Sequence, residues 1–548
     1  MKKKIEKALK SAIKDLQLDK KLPVADFNVL IERPKLEAYG DYTTNVAMAI
    51  AEKTKMNPMA AAGLICDKLK RKKSIFEDVK AVQPGFINFF LSKKALLKEI
   101  NRVLGRGDDY GKSNIGKGKT IIIDYSSVNI AKPFSVGHLR STIIGQTIYN
   151  LYKHLGYKTI GDNHIGDWGT QFGKLLYAIK KWGREKEISR SPVKILMKLY
   201  VKFHQEAEKN PEIEDEARNW FKKLERGDKE ALLLWRKCVR WSLKEFERTY
   251  KLLGIKIDLV LGESFYQKMA EDVIKEALKA GVAKESQGAV IISFPGDLLP
   301  PLLIRKSDGT TLYSSRDLAA IKYRRKRFKP VKIVYEVGAE QILYFKQLFW
   351  AAELLGWGKR EDYVHIAHGM MRLPTGKMST RKGKVILLDD LLSEAIERAK
   401  KIALEKNPNI QKKQLERISR IIGIGAVKYN NLSRRPLTDI VFKWDEALNL
   451  EGNSGPYIQY SYVRAKSILK NVKKTKTTLE GLDLSEKEIR LFKNLIKFPE
   501  IVKTAAESYK PNLICDYLFK MSQGFNSFYE EFPVLAEKDK EKKTARII

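Results

Sequence analysis

The feature that most constrains the fold is a β-branched run at residues 120–125, TIIIDY, which is followed by a proline-containing loop and a long helical pattern. A run this short and apolar is typical of a buried strand in a parallel sheet. The helix is expected over about 137–155, and the passage YKTIGDNHIGDWG after it indicates a second strand ending in a glycine-rich loop. Strand, loop, helix and strand in this order predict a doubly wound α/β domain, whose ligands bind at the carboxyl ends of strands.

Further domains are predicted on either side of this one. A small N-terminal α+β domain is expected over 1–115, beginning with a helix and including a strand near 85–92. The α/β domain is expected over 116–385, with a helical insertion around 175–255 and a return to α/β alternation at 289–293 and 331–335. From about 386 the pattern is almost wholly helical. We expect this part of the chain to consist of a helical connecting region at 386–448 and a C-terminal helical domain at 449–548.

Composition limits the class of protein. The 548 residues include 104 Lys and Arg against 66 Asp and Glu, so the net charge is +38. This excess fits either a Lys-rich surface or a polyanionic partner, and charge alone does not decide between them. The three cysteines lie far apart, so neither a disulfide framework nor a CxxC zinc site is expected, which fits a cytoplasmic protein. No apolar run approaches the roughly 18 residues of a membrane span.

Two stretches have the composition of a nucleotide site. Residues 126–141 read SSVNIAKPFSVGHLRS, where a Gly-His pair opens the predicted helix after a rigid proline turn. Backbone amides and an imidazole at a helix start suit a phosphate. Residues 375–383 read TGKMSTRKG, a glycine-bounded loop with three cations that could close over a triphosphate.

These stretches resemble the HIGH and KMSKS motifs of class I aminoacyl-tRNA synthetases, and NIAKPF…VGHLRST is similar to the arginyl enzymes in particular. The resemblance implies a Rossmann-like catalytic domain, an N-terminal α+β domain that binds the tRNA elbow and a C-terminal α-helical anticodon-binding domain. Ser135 stands where the motif usually begins with His, and Thr380 where a second Lys is usual. The resemblance implies that Lys132 takes over the missing lysine's task. The catalytic residues it implies are Lys132, Ser135, His138, Lys377 and Lys382.

The resemblance also implies the ligand contacts. ATP with Mg²⁺ is expected over Ser135, Gly137, His138, Gly369, Met370, Lys377, Met378 and Ser379, and no structural metal is expected. His164, in a second HIG sequence, is interpreted as a hydrogen-bonded loop residue, and His365 and His368 as structural. Arginine presents a planar charged fork that needs fixed carboxylates and planar acceptors. The positions that match the arginine pocket are Asp124, Asn129, His138, Tyr313, Asp317 and Gln341.

Contacts with tRNA are expected at both ends of the chain. Asn45 with an aromatic residue, Tyr42 or Tyr39, could bind a loop base, although a core aromatic and a capping Asn are equally compatible with the pattern. Tyr457, Tyr460 and Arg464, in GPYIQYSYVR, could stack on anticodon bases or belong to the core. The chain ends at Ile548, where the family normally has another helix, and a truncated anticodon domain is therefore expected.

The predicted reaction is ATP-dependent attachment of L-arginine to tRNA(Arg) through an arginyl-adenylate, by a cytoplasmic monomer. Two alternatives stay open at this point. One is a class I synthetase for another amino acid, such as cysteine. The other is a non-enzymatic RNA-binding relative in which Ser135 and the missing helix abolish catalysis.

Overall fold

The computed structural model describes residues 1–24, 27–372, 374, 387–470, 472, 484–532 and 534–547. The helices are α1 (Lys2–Leu18), α2 (Val46–Thr54), α3 (Pro58–Lys70), α4 (Lys93–Arg106), α5 (Val136–His154), α6 (Thr170–Trp182), α7 (Glu185–Arg190), α8 (Pro192–Lys209), α9 (Glu212–Glu225), α10 (Lys229–Leu253), α11 (Glu263–Lys279), α12 (Tyr313–Phe328), α13 (Ile342–Leu354), α14 (Leu388–Lys406), α15 (Lys412–Leu432), α16 (Trp444–Ala447), α17 (Gly455–Lys470), α18 (Glu486–Leu495), α19 (Phe498–Glu507), α20 (Asn512–Glu531) and α21 (Lys540–Ile547). The strands are β1 (Tyr42–Thr44), β2 (Phe76–Val82), β3 (Phe86–Leu91), β4 (Thr120–Asp124), β5 (Lys158–Asn163), β6 (Leu259–Val260), β7 (Ala283–Ser286), β8 (Ala289–Ile292), β9 (Leu302–Arg305), β10 (Lys332–Gly338), β11 (Tyr363–His368), β12 (Met371–Arg372) and β13 (Ile440–Val441).

The parallel sheet that the sequence predicts is confirmed. Its strands lie in the order β11-β10-β4-β5-β6 among the described residues, and each neighbouring pair is parallel. The isoleucines of β4 are fully buried because helices cover both faces of such a sheet. Asp124 is in register with Asp162 on one neighbouring strand and with Tyr335 on the other. Asp124 and Asp162 therefore lie at the carboxyl ends of adjacent strands, the edge where ligands bind in this class of fold.

The predicted return to α/β alternation at 289–293 is wrong in one respect. β8 belongs to a separate antiparallel sheet with β7 and β9 instead of the parallel sheet. β7 and β8 form a hairpin whose two turn residues, Gln287 and Gly288, have φ values of 50° and 78°. A two-residue turn with positive φ at both positions matches the right-handed twist of paired strands and returns the chain antiparallel. The strand predicted at 331–335 is the central parallel strand β10, as expected.

The segment around 175–255, predicted as a helical insertion, consists of the helices α6 to α10. Its buried side chains, including Phe203, Trp220 and Phe246, belong to the same apolar cluster as Phe134 and Leu139 at the start of α5. These helices therefore pack against the loop between β4 and α5.

The chain divides into two compact units. One contains residues 1–111, 461–500 and 520–548, and the other contains 112–460 and 501–519. In the first unit, the antiparallel sheet β1-β3-β2 confirms the strand predicted near 85–92. Ile496, after α18, is in the same apolar cluster as Leu97 and Ile100 of α4. The N-terminal α+β region and helices from the end of the chain thus share one core, which the sequence did not predict.

Among the described residues, every helix is too short or too polar to cross a membrane.

α5 lies directly against the end of β4. A Cβ added at Gly145, in the middle of α5, would lie 2.3 Å from the Cβ of Tyr125. Tyr125 is fully buried, and its hydroxyl donates to the backbone carbonyl of Lys256. The absence of a side chain at Gly145 therefore sets how closely the helix approaches the sheet.

We expect Gly145→Ala to lower the free energy of unfolding by about 1–3 kcal/mol, because the added methyl overpacks this contact. Gly63→Ala in α3 is the matched control, since a Cβ there meets nothing within 4 Å. That substitution is expected to stabilise by about 0.5–1 kcal/mol through helix propensity. Urea unfolding followed by circular dichroism measures both. Equal effects of the two substitutions would contradict the packing explanation.

Candidate active site

The loop between β4 and α5 has an unusual backbone. Ser126, Ser127 and Ala131 have φ values of 77°, 46° and 61°, in the left-handed region that non-glycine residues rarely adopt. Hydrogen bonds hold the loop in this conformation: the Ser126 amide donates to the Ser141 hydroxyl and the Ala131 amide to the Ser242 hydroxyl, each at 3.0 Å. Strain retained by surrounding contacts is concentrated at functional sites in proteins.

The start of α5 sets the protonation of His138. The Ser135 amide donates to Nδ1 of His138 at 3.2 Å, and the Ser135 hydroxyl lies 2.9 Å from the same nitrogen. Because an amide only donates, Nδ1 is unprotonated and the neutral ring carries its proton on Nε2. Burial, and then the charge of Lys132, lowers the pKa of His138 to about 4. His138 is therefore a neutral Nε2–H donor at physiological pH.

Three of the predicted nucleotide-binding residues, Ser135, Gly137 and His138, lie at this helix start. Gly137 is exposed in the first turn of α5, and Lys132 is half-buried in the loop before it. The effect of Lys132 on the pKa of His138 places its charge near the imidazole. Lys377, Met378, Ser379 and Lys382 lie outside the described residues, as does Thr380. Leu387, the next described residue after that segment, forms a bridge with Ser135.

Gly369 and Met370 are predicted to bind adenine. Their backbone groups form hydrogen bonds with other parts of the chain. The Met370 amide donates to Asp439 Oδ1 at 2.7 Å, and its carbonyl accepts from the Ile440 amide at 2.8 Å. Buried Arg140 of α5 donates to the Gly369 carbonyl at 2.9 Å. Met370 is 55% exposed, while its backbone amide and carbonyl are already hydrogen-bonded.

The residues predicted to bind arginine fall into two adjoining groups. Asp124 is buried, where it accepts from Arg324 at 2.6 Å and from the Ser127 hydroxyl at 3.0 Å. The Asn129 side chain lies against Gly166, where an added Cβ would be 1.8 Å from Asn129 Oδ1.

The second group is built on the starts of α12 and α13. Asp317 accepts a hydrogen bond from the Tyr344 hydroxyl, and the ring of Tyr344 packs on exposed Tyr313 with centroids 5.0 Å apart. Gln341 is the N-cap residue of the helix that carries Tyr344. Asp124 and Asp317 both raise the pKa of His164, so the two groups face a common region.

Sequence reasoning missed Arg324, Tyr344 and the role of His164. Nδ1 of His164 lies 3.0 Å from the Leu261 carbonyl, and Nε2 lies 3.4 Å from Asp317 Oδ1. The loop histidine was correctly interpreted as hydrogen-bonded, but its carboxylate partner was not predicted. The spacing in the sequence could have indicated Arg324, because it follows Asp317 by seven residues and therefore lies on the same face of the helix. His365 and His368 have the structural contacts expected of them, with the Val337 carbonyl and Glu336 at 3.0 Å each.

The candidate tRNA contacts differ in accessibility. Tyr42 is fully buried, with its hydroxyl donating to Glu500 at 2.6 Å and accepting from Arg33 at 2.7 Å, so its ring is not available to stack on a base. Tyr39 is 49% exposed, and exposed Asn45 makes no side-chain cap at the start of α2.

In the C-terminal region, Tyr460 is 52% exposed, whereas Tyr457 packs on Phe519 with centroids 5.6 Å apart. Arg464 donates to Asn526 at 3.0 Å and lies 4.9 Å from the ring centroid of Tyr529. Tyr460 is therefore the more accessible of the two predicted tyrosines.

Within the described part of the chain, no group of three or more His, Cys, Asp or Glu side chains is arranged to hold a metal ion.

Three family models match the chain. Residues 99–444 match the catalytic domain of tRNA synthetases class I (R), residues 2–91 match the arginyl tRNA synthetase N-terminal domain, and residues 458–548 match the DALR anticodon binding domain. The catalytic-domain match alone covers more than half of the chain.

Whole-chain comparisons agree with these matches. The arginine--tRNA ligase of Halothermothrix orenii is 42% identical over 522 residues, covering 95% of this chain and 91% of that protein. The arginine--tRNA ligase of Alkaliphilus metalliredigens is 43% identical over 492 residues, covering 89% and 86%. The crystal structure of arginyl-tRNA synthetase from Plasmodium falciparum superposes with a TM-score of 0.82 at 26% identity, covering 100% of this chain and 94% of that one. The resemblance and the fold class predicted from the sequence are confirmed, and the chain belongs to the arginyl-tRNA synthetase family of class I tRNA synthetases.

Proposed function

We propose that this chain attaches L-arginine to tRNA(Arg), using ATP and passing through an arginyl-adenylate. The observation that carries the proposal is that relatives named arginine--tRNA ligase match 95% of the chain at 42% identity, so the likeness includes the whole α/β domain with its loop and α5. The geometry is compatible with the proposal, because a neutral histidine donor, a helix start and a lysine converge at the carboxyl edge of a parallel sheet.

In the first step, a carboxylate oxygen of arginine forms a bond to the α-phosphorus of ATP, and the bond to the pyrophosphate oxygen breaks. Magnesium accompanies ATP as part of the substrate. We assign Nε2–H of His138 and the Gly137 amide to the phosphate oxygens that gain charge, and Ser135 to the orientation of His138, because its hydroxyl and amide both contact Nδ1 of that ring. Preorganised donors of this kind stabilise the transition state because they need no rearrangement as the charge develops.

Lys132 adds the positive charge that Ser135, in place of histidine, does not supply. Lys377 and Lys382, with Met378 and Ser379, are proposed to close over the triphosphate. The bridge between Leu387 and Ser135 supports this assignment, because it ties the chain that follows these residues to the start of α5. For Gly369 and Met370, the exposed Met370 side chain is the group proposed to pack on adenine, since the backbone groups are already bonded.

The amino-acid pocket is assigned to Asp124, Asn129, His138, Tyr313, Asp317 and Gln341. Asp317 is proposed to accept the guanidinium, because its carboxylate is held by the Tyr344 hydroxyl and the Tyr344 ring packs on exposed Tyr313. Asp124 is proposed to act at the other end of the substrate, together with Asn129. Its pairing with Arg324 satisfies part of its charge and orients the carboxylate. A planar guanidinium satisfies a fixed carboxylate and phenol better than the point charge of lysine does.

For tRNA, we assign Asn45 and Tyr39 to the elbow, replacing Tyr42, and Tyr457, Tyr460 and Arg464 to the anticodon arm. The second step passes the arginyl group from the adenylate to the terminal ribose of the tRNA and releases AMP. The net charge of +38 favours a polyanionic substrate through counterion release. We further propose a cytoplasmic monomer, and the four-domain division at about 115, 385 and 448 stays a prediction.

ATP–pyrophosphate exchange in the presence of tRNA tests the function. We expect exchange with arginine, and none with lysine or cysteine at equal concentration. Asp317→Asn is expected to raise the KM for arginine with little change in the KM for ATP, because the substitution removes the guanidinium partner. Exchange with cysteine or lysine alone overturns the arginine assignment. Binding of tRNA without exchange for any amino acid would favour the non-enzymatic RNA-binding alternative.

The role of Lys132 predicts a kinetic defect. Lys132→Ala is expected to lower kcat for exchange by about 100-fold, a magnitude typical for loss of one transition-state donor. Lys132→Arg is expected to restore part of the rate because it keeps the charge. Lys153→Ala removes an exposed lysine from the last turn of α5, far from the loop that carries Lys132, and serves as the control. If Lys132→Ala exchanges as fast as that control, the compensating role is wrong.

The protonation of His138 predicts a pH response. Its lowered pKa, about 4, means that the ring stays neutral as pH falls through the range where an ordinary histidine is protonated. The unfolded chain binds this proton near the ordinary value, so His138 makes acidification below that value destabilising. In ¹⁵N NMR of histidine-labelled protein, assigned with His138→Gln, we expect an Nε2–H tautomer. A titration midpoint between 6 and 7, or an Nδ1–H tautomer, is incompatible with this geometry.

A further inference from the structure

The two nitrogens of His164 face different kinds of acceptor. Nδ1 lies 3.0 Å from the Leu261 carbonyl, which only accepts, so Nδ1 carries a proton. Nε2 lies 3.4 Å from Asp317 Oδ1, an ion-pair distance that is long for a hydrogen bond. A proton on Nε2 makes the ring a cation beside a carboxylate. Without that proton, two lone pairs would face each other across the same gap.

The charges around His164 are unbalanced. Among the described residues, five carboxylates and one guanidinium group interact electrostatically with it from β4, β5, the loop after β5, α11 and α12: Asp124, Asp162, Asp167, Glu263, Asp317 and Arg324. Arg324 is shared by Asp124 and Asp162, and Arg316 pairs with Glu263 at 2.9 Å. In the described part of the chain, these two arginines thus pair with Asp124, Asp162 and Glu263, and with neither Asp167 nor Asp317.

Asp317 has no guanidinium partner within this cluster. One of its oxygens accepts from the Tyr344 hydroxyl and the other faces His164. The imidazolium of His164 is thus the cation that balances Asp317 in the free protein. Asp317 is also the carboxylate assigned above to the guanidinium of arginine.

We propose that His164 is a proton-releasing counter-ion of the arginine site, which neutralises Asp317 until the substrate guanidinium arrives and then loses its Nε2 proton to solvent. The inference rests on the proposed function, since it requires arginine to bind at Asp317. When His164 releases this proton, the N–H bond of Nε2 breaks, its electron pair stays on nitrogen, and the proton goes to the buffer. The ring keeps its Nδ1–H bond to Leu261, so it need not move.

Two physical effects support this exchange of cations. Burial lowers the pKa of His164, but Asp317 and then Asp124 outweigh burial and raise it to about 9, so the free site is protonated at neutral pH. A second cation on the same carboxylate lowers that pKa by about 1–3 units, because like charges within a few ångströms repel in a partly desolvated site. Deprotonated Nε2 is then an acceptor for a guanidinium N–H.

The affinity for arginine is expected to depend on pH. Arginine binds the form without the Nε2 proton more tightly, so its affinity rises with pH between the pKa of the complex and about 9. The slope is up to about tenfold per pH unit, which corresponds to one proton released.

Calorimetric titration of arginine into the full-length protein tests the inference. At about pH 8, the apparent enthalpy is compared in Tris and phosphate, whose ionisation enthalpies differ, and the comparison counts the protons released. We expect release of about 0.5–1 proton by the unaltered protein. His164→Gln keeps an amide donor toward Asp317 but cannot titrate, and we expect its release to fall by that amount. The α-amino group of arginine contributes equally to both and cancels.

A second measurement uses only the unaltered protein, so its result does not depend on whether the variant folds. In ¹³C NMR of histidine-labelled protein, one imidazole should change from cation to neutral when arginine is added and should remain a cation when neutral citrulline is added. Arginine binding without proton release, or equal release by His164→Gln, overturns the inference and leaves the proposed function intact. Failure of arginine to bind at all overturns both.

Discussion

The buried guanidinium of Arg324 joins three elements that the chain contributes far apart in sequence. It lies on α12 and contacts Asp124 at the end of β4 and Asp162 at the end of β5, at 2.6 and 2.8 Å. Asp124 and Asp162 are in register on neighbouring strands, so their carboxylates would repel each other without a shared cation. Removing one partner of such a buried ion group typically costs about 3–5 kcal/mol, because it leaves an unpaired charge out of water. Arg324 thereby fixes the position of α12, and with it Asp317 two helical turns earlier.

The nucleotide side of the site depends on a different constraint, the approach of α5 to the sheet. Gly145 allows the helix to lie against Tyr125, and the strained loop from Ser126 to Ala131 spans the short distance that remains. Ser135 then caps the helix by donating its amide to His138, and this single bond decides the tautomer of the imidazole. The hydroxyl of Ser135, at the position where the motif usually has histidine, lies 2.9 Å from the same nitrogen and adds to this support of His138.

The amino-acid side and the nucleotide side use histidines in opposite protonation states. His138 is kept neutral by burial and by the charge of Lys132, whereas His164 is kept charged by Asp317 and Asp124 despite its burial. The difference comes from the sign of the nearest charge, since both rings are shielded from water. Each state suits the ligand proposed beside it: an Nε2–H donor for phosphate oxygens, and a removable cation where a guanidinium binds.

Local patterns in the sequence predicted the parallel strands, the helix after the loop, the helical insertion and the family, because strand and helix periodicity and motif order are properties of neighbouring residues. They could not distinguish buried Tyr42 from exposed Tyr39, nor place β8 in an antiparallel hairpin, because burial and strand partner depend on distant segments.

For the candidate site, too, some features follow from the sequence and others only from the tertiary structure. The sequence by itself determined which residue types stand at the carboxyl ends of β4 and β10 and at the starts of α5 and α12. Only the tertiary structure decided that Asp124 and Asp162 share Arg324, that Asp317 faces His164, and that residues 1–111 form one compact unit with 461–500 and 520–548. The physical reason is that charge pairing and protonation depend on distances in space, which a sequence pattern does not contain.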